Sequence, residues 1–126
     1  MDEEVTQVEV AAEEEEGATE TEMVKMATKG DILQKINADR DLSNADMSGM
    51  DLAGMKFTGL KMTKANLANA DLSGGIFAGA DAEAVDFSNA NLSGASFMGV
   101  NLAKAIFSNV QMAAAKILGV NLEKAD

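Results

Sequence analysis

The chain has no cysteine, histidine, proline, tryptophan or tyrosine. Without Cys there is no disulfide framework and no thiol chemistry. Without His the usual general base and the commonest metal ligand are missing, and no Ser/His/Asp or Cys/His nucleophile can be assembled. Neither a Walker loop nor GxGxxG occurs. These absences argue against an enzyme, and no catalytic residue, metal ligand, cofactor or small-molecule substrate is assigned. No run of 18 apolar residues suggests a membrane span. The start, MDEEVTQVEV, lacks the basic head and apolar core of a secretory signal, so a cytoplasmic location is expected.

What is present is unevenly spread. Of 126 residues, the first 39 carry twelve Asp or Glu and three Lys, a net of −9; residues 40–126 carry nine acids and seven bases, a net of −2. The overall charge of −11 therefore belongs to the N-terminal arm. Residues 1–22 include the run Glu13, Glu14, Glu15, Glu16 and few large apolar groups. Such a segment cannot bury enough surface to offset its ordering entropy, so a solvated, disordered tail is expected. Val5, Val8 and Val10 nonetheless equip it to add as a short strand to a partner. Residues 23–39 read as a short helical cap. Thr19 and Glu22 have capping-box spacing, which predicts a helix through Met23, Val24, Met26 and Ala27 to near Gly30. Asp31 would then cap a second helix with Ile32, Leu33 and Ile36 on one face.

From Arg40 the sequence falls into fives: RDLSN ADMSG MDLAG MKFTG LKMTK ANLAN ADLSG GIFAG ADAEA VDFSN ANLSG ASFMG VNLAK AIFSN VQMAA AKILG VNLEK AD. In sixteen of seventeen phrases the third residue is Leu, Phe, Met or Ile, where chance would give about four; Ala82 is the exception. The second residue is usually Asp or Asn, and the fifth mostly Gly or Asn. Self-similarity at a fixed period indicates stacked units sharing a core. A heptad coiled coil is excluded, because an apolar seam of period five rotates away. Gly and Asn tolerate left-handed backbone angles and suit a tight corner after each extended piece.

Over residues 40–126 this pattern resembles the pentapeptide repeat family, whose phrase is close to A(D/N)LXX. The resemblance implies an all-β solenoid: a right-handed, four-sided parallel β-helix of about four coils. Each phrase would make one side, with first and third residues pointing inward. The segment KGDILQKINADRDLSNADMSG is similar to the capping helix of family members. Twenty residues per coil would then place the core in columns. Phe57, Phe77, Phe97 and Ile117 form one; Met47, Leu67, Phe87 and Phe107 a second. Leu52, Leu72, Leu92 and Met112 form a third, and Met62, Ala82, Leu102 and Leu122 the last. The corner residues Asn69, Asn89 and Asn109 would make a hydrogen-bonded ladder.

On the surface, stacked Asp51 and Asp71 are read as solvating the wall rather than binding a cation. Lys64, Lys104 and Lys124 share a column with Glu83 and Glu123 beside them, so no direct nucleic-acid contact is expected. Ile76, Met98 and Leu118 should face water on one side, and Ile106 on another. They make a candidate partner patch. The last coil, with Ile117, Val120 and Leu122, has nothing to cover it and invites stacking. Family members dimerise end to end through C-terminal coils, which implies a homodimer or a place in a larger complex. Other members imitate DNA and protect type II topoisomerases (DNA gyrase), but their acidity runs along the rod. The sequence reads as a protein–protein interaction module whose partner the residues do not name.

Overall fold

The computed structural model describes residues 23–126; Val5, Val8, Val10, the Thr19/Glu22 signal and the Glu13–Glu16 run lie outside them. The chain from Arg40 onward winds as a parallel β solenoid. Twelve isolated parallel bridges join second-position residues twenty apart, from Asp41↔Lys61 to Asn101↔Asn121. Twenty residues are four phrases, so each turn has four short sides. Counted from Arg40, the first side holds the phrases beginning at 40, 60, 80, 100 and 120. The second holds those at 45, 65, 85 and 105, the third those at 50, 70, 90 and 110, and the fourth those at 55, 75, 95 and 115.

Wherever a phrase has a neighbouring turn, it repeats the same backbone bonds. The third residue's N–H reaches a second-position carbonyl one turn on (Leu52 to Asp71, 2.8 Å), and the fifth reaches a fourth-position carbonyl (Gly54 to Ser73, 2.8 Å). The second residue's N–H reaches back to the preceding turn (Asp71 to Met50, 2.9 Å). Within the corner, the next phrase's first N–H closes a tight turn (Ala70 to Leu67, 3.2 Å). The fifth residue sits at positive φ, as the third residue of a type II turn must. Gly59 and Gly79 (68° and 67°) adopt this freely, and Asn69 and Asn89 (64° and 63°) tolerate it. The Asn corners make no side-chain ladder; the amide bonds along the stack are at the second position. Asn101 donates to Asp81 at 3.2 Å, and Asn121 donates to Asn101 at 3.3 Å.

Side chains at first and third positions fill the interior. Phe57, Phe77 and Phe97 are fully buried and stacked at 4.7 and 4.6 Å, nearly parallel. Phe87 meets Phe77 edge-on at 6.0 Å and stacks on Phe107 at 5.2 Å. Leu72, Leu92 and Leu102 are buried, as is Ala82 between Met62 and Leu102. The core thins at the last turn. Ile117 is 43% exposed and Leu122 47%, while Phe107, Met112 and Val120 are half-buried. Ile117 and Phe107 are therefore not closed core positions: a third-position side chain is covered by the turn after it, and among the described residues no full turn lies above this one.

At the other end, strand β1 (Val24–Lys25) pairs in parallel with β2 (Ala45–Asp46). A helix was expected through Val24. Instead VKMAT behaves as one more phrase, with Met26 buried beneath the second side and Lys25 3.9 Å from Asp46. Helix α1 (Lys29–Asp39) follows. Its N-cap is Thr28, with Asp31 as the reciprocal partner, so Asp31 lies within the first turn and is not the cap itself. Ile32 is buried and Ile36 packs on the core, but Leu33 is 48% exposed and does not cap. Successive residues lie about 100° apart on a helix, so Leu33 cannot share the face that seats Ile32 and Ile36. Arg40 ends the helix at φ 55°, and its guanidinium donates to the Thr58 carbonyl at 2.6 Å. That bond stands in for the turn missing below Thr58. The two remaining strands, β3 (Ser96–Met98) and β4 (Lys116–Leu118), pair in parallel on the fourth side.

Candidate interaction surfaces

The second-position carboxylates and amides are turn-builders. Asp46 accepts from the Ser48 amide at 3.2 Å and its hydroxyl at 2.8 Å; Asp71 does the same with Ser73 at 3.0 and 2.8 Å. Asn66, Asn91 and Asn101 take the amide two residues on in the same way. The Ser48 hydroxyl, then its amide, hold the Asp46 carboxyl below the usual carboxylate range. For Asp71 the Ser73 amide leads and the hydroxyl follows. Asp51 and Asp71 do bridge across turns, but among the described residues no group of three or more Asp or Glu is arranged to hold a metal. On the first side, Glu83, Lys104, Glu123 and Lys124 line a shallow polar hollow with Asn101 and Asn121. Lys104 lies 3.8 Å from Glu83. Both signs alternate there, which leaves no basic stripe. No helix among the described residues is long and apolar enough to cross a membrane.

Two surfaces differ in kind. The first is the open end. Phe97, Leu102, Phe107, Met112, Ile117 and Leu122 surround an apolar hollow of about 140 Å³ at the last turn. Around it, the bonds repeated on every lower turn have no successor among the described residues. The amides of Met112, Ala114, Ile117, Gly119, Leu122 and Lys124 lack the carbonyls that their counterparts reach, as Leu92 reaches Gln111.

The second is the fourth side. β3–β4 pairing sets Met98 beside Leu118, respectively 44% and 64% exposed. Ile76 lies in the neighbouring column, bridged to Lys56 below and Ser96 above, and is half-buried. Ile106 is also half-buried but sits on the second side, bridged to Asp86, and does not join the patch. Among the described residues, the fourth side alone has no Asp or Glu in its phrases; it carries Lys56 and Lys116. Sequence reading singled out its apolar residues but missed this charge pattern, which the twenty-residue register makes visible. The corner column here is all Gly, and a Cβ placed on Gly79 or Gly99 would meet nothing within 4 Å.

The family model for pentapeptide repeats matches eight copies over residues 41–74 and 65–103, half of the chain. The chain belongs to the pentapeptide repeat family. Among solved pentapeptide repeat structures, it is similar to Rfr23 from the cyanobacterium Cyanothece 51142. The two are 29% identical over 68% of this chain and 58% of that one, with a TM-score of 0.66. It is also similar to QnrB1, a plasmid-mediated fluoroquinolone resistance protein: 27% identity, 68% and 47% covered, TM-score 0.62. HetL, from Nostoc sp. strain PCC 7120, shares the fold at 18% identity, 79% and 49% covered, TM-score 0.55. This pentapeptide repeat protein thus spans about half to three-fifths of the length of these relatives. No curated protein matches it.

Proposed function

We propose that the protein is a non-catalytic interaction module that pairs end to end through its open last turn. The observation that carries this is the apolar mouth. Ile117 and Leu122 stand half in water beside a hollow bounded by Phe97, Leu102, Phe107 and Met112. Filling that mouth removes apolar area from water at about 25 cal/mol per Å². A second copy suits the rim. A two-fold axis sets each edge antiparallel to itself, so the unpaired amides of one copy face the carbonyls of the other. Light scattering after size exclusion tests it. The full chain should elute as a dimer at micromolar concentration, and Leu122→Glu as a folded monomer. A wild-type chain that stays monomeric at high concentration would remove the reading.

A second reading is that the protein imitates DNA and regulates or protects a type II topoisomerase. Its support is the net charge of −11 and the likeness to QnrB1. Against it, the second side spaces Asp46, Asp86 and Asp126 apart with Asn66 and Ile106 between them, the third carries only Asp51 and Asp71, and the first mixes both signs. A gyrase supercoiling assay with and without a quinolone decides it. Added protein that neither inhibits nor protects the enzyme rules this reading out.

A further inference from the structure

We propose that the fourth side of the solenoid is the docking surface for the chain's own acidic arm, residues 1–22. This rests on reading the arm as a docking element. Charge complementarity selects the occupant. The arm holds ten Asp or Glu and no Lys or Arg. Of the four sides, three present carboxylates to it; the fourth presents none and carries Lys56 near its base and Lys116 at its top. Arg40, bonded to the Thr58 carbonyl, adds a third cation at the foot of the same side.

The apolar pattern agrees with the charge. Ile76, Met98 and Leu118 run up this side above Lys56, with Leu118 level with Lys116 and in direct register with Met98. Val5, Val8 and Val10 are the large apolar residues of the first ten after Met1, with Glu9 between the last two. In an extended segment Val8 and Val10 fall on one face, which matches the Met98–Leu118 pair on a side that carries cations and no carboxylate. The bare Gly column along this edge lets a second backbone approach closely. Reach is no obstacle: 22 extended residues span roughly 75 Å at ~3.4 Å each, whereas the rod's turns repeat every ~4.8 Å. Docking in this way hides the exposed apolar side chains of Met98 and Leu118 until a competing acidic or apolar ligand displaces the arm. The arm is therefore a built-in competitor for that side, while the open end stays available.

The absence of Cys allows a direct test on the full chain. Ala12→Cys carries one spin label without background, and amide signals are read with the label active and reduced. Signals of Gly79, Gly99 and Gly119 should lose more than half their intensity, while those of Asn69 and Asn89, on the second side, keep theirs. The loss should persist on tenfold dilution and vanish in 1 M salt, where charges are screened within about 3 Å. It should vanish equally in a Lys56→Glu/Lys116→Glu variant whose circular dichroism is unchanged. Broadening that is equal on all sides, confined to the open end, or indifferent to the Lys changes overturns the proposal. Broadening that disappears on dilution also overturns it, since the arm would then come from a second copy. The dimer assay on Leu122→Glu is independent, so either idea can fail alone.

Discussion

Replacing Phe77 by Ala tests whether the ring column carries the stability of the middle of the rod. Phe77 is fully buried, stacked on Phe57 at 4.7 Å and Phe97 at 4.6 Å, and edge-on to Phe87 at 6.0 Å. Deleting a buried Phe side chain costs about 3–5 kcal/mol, and each lost aromatic pair about 0.5–1.5 kcal/mol beyond its area. The upper part of the first range is therefore expected, because no neighbouring turn can collapse without breaking the repeated backbone ladder. Ile117→Ala in the same column is the matched control. Its side chain is already 43% exposed and touches a turn on one side only, so a loss nearer 1 kcal/mol is expected. In a stacked array, an interior change also disturbs two interfaces where an end change disturbs one. The chain has neither Trp nor Tyr, so unfolding is best followed by far-ultraviolet circular dichroism in urea. At about 4 °C or more per kcal/mol, a loss of ~4–5 kcal/mol means that Phe77→Ala should lower Tm by more than about 16 °C. If Ile117→Ala proved as costly as Phe77→Ala at low, monomeric concentration, the stacking argument would be refuted.

Two other measurements follow from named residues. Ala82→Leu should raise Tm, since Leu52, Leu72 and Leu92 show that the third position accepts Leu on consecutive turns. The gain is at most about 2 kcal/mol, and a fall would mean that Met62 and Leu102 already fill the space and the core is overpacked. Asp46 and Asp71 have folded pKa values held below the ordinary carboxylate value. Their contribution is present above about pH 4 and is lost as pH falls through the lower folded value. Tm of the wild type should thus drop in acid more steeply than that of Asp46→Asn/Asp71→Asn, whose amides keep the turn as Asn66 and Asn91 do. Parallel acid limbs for the two proteins would contradict this.

The interior was legible because each phrase carries its own instruction: third residue in, fifth residue at a corner. Residues such as Phe57, Leu72 and Phe97 needed no knowledge of the rest of the chain. What escaped the sequence depends on neighbours twenty residues away. Ile117 obeys the same phrase as Phe97, yet is exposed because coverage comes from the following turn. Val24 lies in a segment with helical signals, but its amide finds Asn44 at 2.6 Å and the strand wins. Asp31 was read as the cap; Thr28, three residues earlier, holds that place, and their reciprocal bonding makes Asp31 its partner within the first turn. The acid-free side was invisible for the same reason: Lys56, Ile76, Ser96 and Lys116 become neighbours only once the register is known.

The spacing of bridges by twenty residues has a consequence for how such a chain tolerates growth. Adding one phrase would rotate everything beyond it by a quarter turn. The interior would stay filled, because each phrase still sends its own third residue inward. Met98 and Leu118, however, would leave the face that holds Ile76 and Lys56 and arrive beside carboxylates. Only an insertion of four phrases lengthens the rod and keeps its surfaces aligned, so the outside is far more sensitive to phrase number than the inside.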